Sequence, residues 1–438
     1  VMMRFLAALA ALGPFAAPGP AAVATPGAAE LVRNATAAQD LTGWSAAAAA
    51  GPVAVQRVTG LTGGPAAATG VRLSRGGASG AWAYALVALR TPAAFTVGQT
   101  YRMSVWLRDT AGPGRTFGLL LASGEYRHRP TETAEYTAPA DARWHLVTRT
   151  FVATAAGAAD TALYLSLPTA GPFDVQVTGA SVQSVSAPAP ARVRTGPSRV
   201  LGFSGPAIDP KVWGYDLGGG GWGNGERQTY TSSPANARLD GAGHLAITAV
   251  RTAQGFTSAR LTTQGKVTVA AGSYVEAAIT APVGASVWPA FWLLGADIDT
   301  VGWPACGELD AFEGTGSRPT LVQSAAHMAL AGSPRTDRQY GWGEAGGTTD
   351  VGLPLDARSH VFGVYFDAQT VRFYVDRRPT MSLWATDALA SGRTWPFGGP
   401  QFLLLNVAVA GGVDNSATSF PRTMTVGPIS IWAGGVPF

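Results

Sequence analysis

The sequence predicts an all-β protein of two β-sandwich domains, and three features carry that prediction. Short runs alternate between apolar and polar residues along most of the chain, 56 Gly and 30 Pro punctuate them, and no long amphipathic helical period interrupts them. A chain of 438 residues also exceeds what one ordinary core organises, which implies two domains plus processing segments.

Taken in order, residues 1–29 read as an export signal. Arg4 supplies a short positive region, Phe5 to Leu12 an apolar core, and Ala22-Val23-Ala24 or Ala28-Ala29 a small-residue cleavage site. Gly13, Pro14, Pro18, Gly19 and Pro20 break the apolar run well short of the ~20 residues that a spanning helix needs. A secreted, extracellular protein without membrane contact is the expectation.

Residues 30–185 are rich in Gly, Thr, Ala and Val, with alternating runs such as Thr100 to Arg108 and Thr161 to Leu167, so a β-sandwich is expected there. Trp82, Tyr84, Tyr126 and Tyr136 are candidates for an aromatic face that stacks on sugar rings, while Trp44, Trp106 and Trp144 read as core. Residues 186–200 hold Pro188, Pro190 and Pro197 with no hydrophobic period and read as a semi-extended linker that tethers one domain to the other. From 201 to 438 the pattern is again β, with strands expected at His244 to Val250, Tyr274 to Ile279, His360 to Phe366, Val371 to Val375, Gln401 to Val409 and Met424 to Trp432.

Composition excludes several functions. The net charge of +4 comes almost wholly from Arg, and no block of like charge stands out, so no nucleic-acid partner is implied. Cys306 is the only cysteine, which rules out an intrachain disulfide, and it reads as a small buried apolar residue. Five scattered His without paired spacing give no zinc site, and no metal or other cofactor is called for. A monomer is expected.

The chemistry concentrates at Gly307-Glu308-Leu309-Asp310-Ala311-Phe312-Glu313-Gly314, three acids within six residues of a chain that is only 13% charged. Clustered, desolvated carboxylates repel and favour their protonated forms, so packing alone is a poor reason for them. On a strand, Glu308 and Asp310 share a face and Glu313 falls on the other. A β-bulge near Ala311 or Phe312 restores parity and brings all three to one cleft. Two carboxylates are what a retaining glycosidase uses, one as nucleophile and one as acid/base, with carboxyl groups about 5–5.5 Å apart. Flat-strand spacing leaves the two Glu backbones roughly 13 Å apart, so the sheet must curve to make them converge. Spacing does not say which Glu is which.

The run Glu-Leu-Asp-Ala-Phe-Glu resembles the Glu-x-Asp-x-x-Glu signature of glycoside hydrolase family 16 in its laminarinase-like form. The likeness extends through Gly221-Trp222-Gly223-Asn224-Gly225-Glu226-Arg227-Gln228-Thr229-Tyr230-Thr231, Phe256 to Leu261, Trp288 to Gly295, Val371 to Asp376 and Leu404 to Val409, in the family's order from about residue 203 onward. It implies a curved jelly-roll sandwich with a concave substrate groove and a secreted endo-β-1,3-glucanase activity. Mixed-linkage β-1,3-1,4-glucanase, other polysaccharide hydrolases of the family and a transglycosylase are alternatives within the enzyme class. A non-catalytic β-glucan-binding protein is the alternative outside it, and the presence of both Glu308 and Glu313 argues against that one. More weakly, Leu41 to Trp44, Tyr101 to Arg108, Trp144 to Val147 and Phe173 to Val175 resemble a carbohydrate-binding module of the family 4/9/22 type.

Carried over residue by residue, the resemblance makes Glu308 the nucleophile, Glu313 the acid/base and Asp310 the group that tunes the nucleophile. Trp288, Trp292 and Trp303 become candidate sugar platforms, and Asn224, Glu226, Arg260, His327 and Asn406 candidate substrate-binding residues. A structural Glu226–Arg260 salt bridge and a satisfied core His327 are the competing readings; His360 reads as structural. Two departures stand out. Gly202 and Gly427 occupy positions where many relatives carry acids for a structural calcium, and Gly411-Gly412-Val413-Asp414 lacks a tryptophan usual in that loop.

Overall fold

The computed structural model describes residues 30–438 apart from 49–51, 65–67, 78–82, 89–94, 111–114, 123–133, 139–141, 154–155, 157–160, 169–170, 187, 338, 342–346 and 391. The export signal expected at 1–29, Trp82 and Tyr126 therefore lie outside the described residues, as does the side chain of Tyr136 in the strand Ala134–Ala138. Among the described residues the only helices are the short Ile298–Val301 and Ala385–Ala390.

Two five-stranded antiparallel sheets make the N-terminal sandwich. One runs in the order Trp44–Ala48, Ala83–Ala88, Ala162–Leu167, Arg115–Ala122, Ala134–Ala138, and the other Ala54–Thr59, Thr69–Arg75, Phe173–Ser184, Thr100–Asp109, His145–Val152. The strand Thr100–Asp109 alternates strictly, with Tyr101, Met103, Val105 and Leu107 buried and their neighbours half-buried. That pattern is what one covered face dictates. Trp44 packs on this core as expected. Trp106 instead sits among the half-buried, outward-facing positions, because its even number places it opposite Val105 and Leu107. Trp144 is buried as expected, with the Arg108 guanidinium 4.8 Å from its ring and its indole N–H donating to the Thr62 carbonyl. Tyr84 meets Tyr164 edge to face at 5.2 Å, away from the sandwich core.

Residues from about 200 form a second sandwich of an eleven-stranded and a nine-stranded sheet around one large core. Across it Phe312 stacks on Phe362 at 4.2 Å. In the nine-stranded sheet, Arg260–Thr262, Gln401–Val409, Val287–Gly295, Glu308–Gly314 and Leu321–His327 lie side by side. All nine residues of Gln401–Val409 are buried, so alternation is lost and both faces of the sheet are covered.

Segment 186–200, expected to be a semi-extended linker, is bonded along the second sandwich. Pro188 accepts from the Trp384 indole, Val193 and Val436 exchange backbone bonds with their neighbours, and Arg199–Leu201 pairs with Ile429–Ala433. Extended backbone keeps its N–H and C=O groups unpaired, and here they find partners. The sandwiches also touch directly: Asp387 accepts from the Thr150 N–H on the strand His145–Val152, and Arg149 Nη2 reaches the Ser382 carbonyl at 3.5 Å.

Candidate active site

The acid strand begins after Gly307, whose φ of +80° suits glycine and where a Cβ would fall 2.5 Å from the Pro396 ring. Its pairing with Val287–Gly295 matches Leu294 to Glu308, Trp292 to Asp310 and Ala290 to Glu313, with a register shift at Ala311. Pairing with Leu321–His327 shifts between Asp310 and Glu313 as well. The extra residue sits where parity required it. Leu309, Ala311 and Phe312 join the core, and Glu308, Asp310 and Glu313 line a cleft of about 560 Å³ on the other face.

Every sequence-predicted site residue lines that cleft: Asn224, Glu226, Arg260, Trp288, Trp292, Trp303, His327 and Asn406 surround the three acids. The tryptophans do more than offer flat surfaces. Trp288 Nε1 donates to Glu313 Oε1 at 2.8 Å, Trp303 Nε1 to Glu308 Oε2 at 2.7 Å, and Trp292 Nε1 to Asn406 Oδ1 at 2.7 Å. Each indole thereby fixes a polar group of the cleft as well as covering it. Trp303 remains 41% exposed at the rim, with its ring beside that of His327.

The Glu226–Arg260 salt bridge considered above does not form. Arg260 pairs with Asp216 (Nε to Oδ2, 2.9 Å) and lies between the faces of Trp222 and Trp292, 4.9 and 4.5 Å from their centres. Glu226 accepts from Gln228, Tyr230 and Asn224, at 2.5, 3.0 and 3.3 Å, and Tyr230 in turn accepts from Asn406 at 3.1 Å. A chain of polar contacts thus links the Asn224 loop to the sheet floor. Gly411 lets that loop close, since a Cβ there would strike the Gly225 carbonyl at 2.2 Å.

His327 ends its strand opposite Glu308. Its Nε2 lies 3.5 Å from Asp310 Oδ2 and 4.0 Å from Glu308 Oε1, and its Nδ1 lies 2.8 Å from Asp337 Oδ2. The core reading of this histidine is therefore set aside. His360, read as structural, is buried and bonded to Asp376 at 2.9 Å. Sequence reasoning missed Trp222, Asp337 and Gln339, which also line the cleft. Trp222 stood inside a quoted motif; Asp337 and Gln339 carried no signal.

Electrostatics separate the two glutamates. Burial, then the neighbouring Asp310, pushes Glu313 well above the usual carboxyl range, and the Trp288 bond only partly offsets this. Burial and Asp310 also push Glu308 up, to about 8, but His327, Trp303 and Arg260 all pull it down. Burial opposes the charge on His327, yet Asp310, Asp337 and Glu308 reverse that and raise it well above its ordinary value. Cys306, buried, has its thiol pushed up to about 11 by desolvation first, which suits an inert packing role.

Glu308, Asp310 and His327 hold donor atoms within 4.8 Å of one another, a spacing that ion pairing of an imidazolium with two carboxylates, at 3.5 and 4.0 Å, explains without an ion. At the family's structural calcium position, Gly202 and Gly427 offer no side-chain oxygen, and the Gly427 N–H is bonded to the Ala278 carbonyl. The residues present do not fit that ion.

The chain is similar in sequence to several known proteins. A family model described as XgeA-like, catalytic GH16 domain, matches residues 229–339. A beta-glucanase of Rhodothermus marinus is 36% identical over 248 residues, spanning 51% of this chain and 80% of that protein. A glucan endo-1,3-beta-glucosidase of Cryptopygus antarcticus is 34% identical over 212 residues, 45% of this chain and 75% of that protein. The laminarinase catalytic domain of Thermotoga maritima is 32% identical, with 54% of this chain and 97% of that one covered at a TM-score of 0.48. With three acids on one face of a bulged strand and this identity over four-fifths of a relative, the chain belongs to glycoside hydrolase family 16 and carries its catalytic domain.

Proposed function

We propose that the second sandwich hydrolyses internal β-1,3 linkages of a laminarin-type glucan with retention. Glu308 attacks the anomeric carbon to give a covalent glycosyl-enzyme, while Glu313 protonates the departing glycosidic oxygen. Glu313 then removes a proton from water, and the resulting hydroxide equivalent displaces Glu308. Asp310, between them on the strand, faces His327 and restrains the nucleophile. The single observation that carries the reading is the bulge, which turns both glutamates and Asp310 into one tryptophan-lined cleft.

The order of roles draws support from the electrostatics. An acid must stay protonated until it acts; both glutamates are raised, and burial and Asp310 hold Glu313 well above the ordinary range. A nucleophile must ionise, and at Glu308 Arg260 joins His327 and an indole donor in favouring the charge, where Glu313 has His327 and the Trp288 indole. The β-1,3 preference rests on the names of relatives, a glucan endo-1,3-beta-glucosidase among them. The Rhodothermus marinus relative is named only as a beta-glucanase, so mixed-linkage β-1,3-1,4-glucan is the second substrate reading.

Trp303, exposed at the rim, serves as a sugar platform, and Asn224, Glu226, Arg260 and Asn406 hold sugar hydroxyls, while His327 faces the acids. The N-terminal sandwich is a carbohydrate-binding module, with Tyr84 a candidate for its aromatic face, and the protein acts as a secreted monomer. Comparing products from laminarin, lichenan, agarose and galactan tests the substrate. Laminarin cleaved fastest supports the proposal; binding without turnover by the wild type overturns it. Azide rescue of Glu313→Ala giving a β-glycosyl azide, and of Glu308→Ala giving the inverted product, supports the roles; swapped outcomes reverse them.

A further inference from the structure

One acidic side chain in the cleft has no part in the reaction as written. Asp337 closes the strand Ser333–Asp337 of a small hairpin, where it pairs with Ala329. Its carboxylate contacts His327 Nδ1 at 2.8 Å, on the side of the ring opposite Asp310 and Glu308. Both ring nitrogens therefore face carboxylate oxygens. A neutral imidazole has one N–H and one lone pair, so one of its two faces would set a lone pair against a carboxylate; only the imidazolium donates on both sides. The ring is 16% exposed, and Trp303 lies beside it, which keeps water from replacing either partner freely.

We propose that Asp337 is a positioning residue for glycoside hydrolysis: it holds His327 doubly protonated and aimed at Asp310 and Glu308, and so favours the ionised form of the nucleophile. This rests on the assignment of Glu308 as nucleophile. Among the described residues, the charged and titratable groups that face His327 are Glu308 and Asp310 from the acid strand and Asp337 from the hairpin; Arg260 acts on the same nucleophile from the opposite side. Burial opposes the charge on the ring, and a neutral ring would remove the largest of the groups that offset Asp310 at Glu308, leaving the Trp303 indole and Arg260. Asp337 touches no reacting atom in this scheme. It acts through the imidazole.

The test compares wild type with Asp337→Asn and Asp337→Glu on soluble laminarin. The acidic limb of the kcat/KM profile should move up by about one pH unit in Asp337→Asn, a roughly tenfold loss on that limb. KM should stay within about twofold, since no sugar contact is removed, and Asp337→Glu should restore the limb. A uniform drop in kcat with unmoved limbs, or a profile identical to wild type, overturns the proposal and leaves Asp337 a hairpin brace. Nitrogen chemical shifts of His327 in the wild type, identified by its absence from His327→Gln, give an independent reading even if a variant fails to fold. Two protonated nitrogens at about pH 7 support the proposal, and a neutral ring there overturns it. Trapping of the glycosyl-enzyme on Glu308 in the wild type checks the nucleophile separately, so failure of that assignment is distinguishable from failure of this one.

Discussion

The strands Thr100–Asp109 in the first sandwich and Gln401–Val409 in the second are close in length and differ in what covers them. In the first, every other residue is half-buried and faces away from the core. In the second, Leu403, Leu405, Val407 and Val409 face the core, while on the opposite face Asn406 and Ala408 line the cleft and Phe402 and Leu404 pack with Leu294 and Cys306. A sheet normally leaves its second face to water. Where that face is covered by Trp, Arg, His and carboxylates instead, the cost of burying polar groups is met by specific partners, as at Trp288 to Glu313 and Trp292 to Asn406. The polar groups of the active site are gathered on that second face.

Substitutions should respect this difference. On the cleft face, Glu313→Gln should lower kcat by about 10²- to 10⁴-fold, measured as reducing-sugar release, with the fold intact by circular dichroism. On the core faces the two sandwiches should behave alike. Phe312→Ala, which removes the ring stacked on Phe362, should cost about 3–5 kcal/mol, and Leu107→Ala in the first sandwich about 2–5 kcal/mol, both read by denaturant titration.

Stability of the cleft face should also depend on pH. Glu308 is raised from an ordinary 4.5 to about 8 by burial and Asp310, so the folded state binds more protons than the unfolded one between those values. Stability associated with it is therefore present below about 4.5 and is lost as pH rises through about 8. Thermal melts of Glu308→Gln should show a Tm gain over wild type that grows across that window; a gain independent of pH would contradict the assignment.

Where the two sandwiches meet, Asp387→Asn should cost about 1–3 kcal/mol, by weakening a buried bond to the Thr150 N–H. Calorimetry should then separate the unfolding of the two sandwiches. On the outward face of Thr100–Asp109, Ser104→Ala should change stability by no more than about 0.5 kcal/mol and leave catalysis untouched.

Much of this was legible in the residues because it is local. Alternation from Tyr101 to Arg108 reports one covered face, and the spacing of Glu308, Asp310 and Glu313 demands the bulge that the strand pairing contains. What was not legible depends on backbone partners far away in the chain. Residues 186–200 have no hydrophobic period, and nothing in their composition reveals that Val193 and Ser198 donate to Val436 and Ile431. Trp106 looked like core because strand tryptophans often are, yet its parity puts it outside. Asp337 belongs to no motif, and only the hairpin through Ala329 brings it to His327. Arg260 found Asp216 rather than Glu226 because those two strands are neighbours in the sheet.

The central claim is that the bulged strand aims two glutamates at one glycosidic bond, with Glu308 forming the covalent bond to sugar. Incubating the wild type with a 2-fluoro laminari-oligosaccharide carrying a good leaving group, followed by peptide mass spectrometry, reads this directly. The account predicts one sugar adduct on the peptide that contains Glu308, located at that side chain. An adduct on Glu313, or turnover with inversion and no adduct, would contradict it.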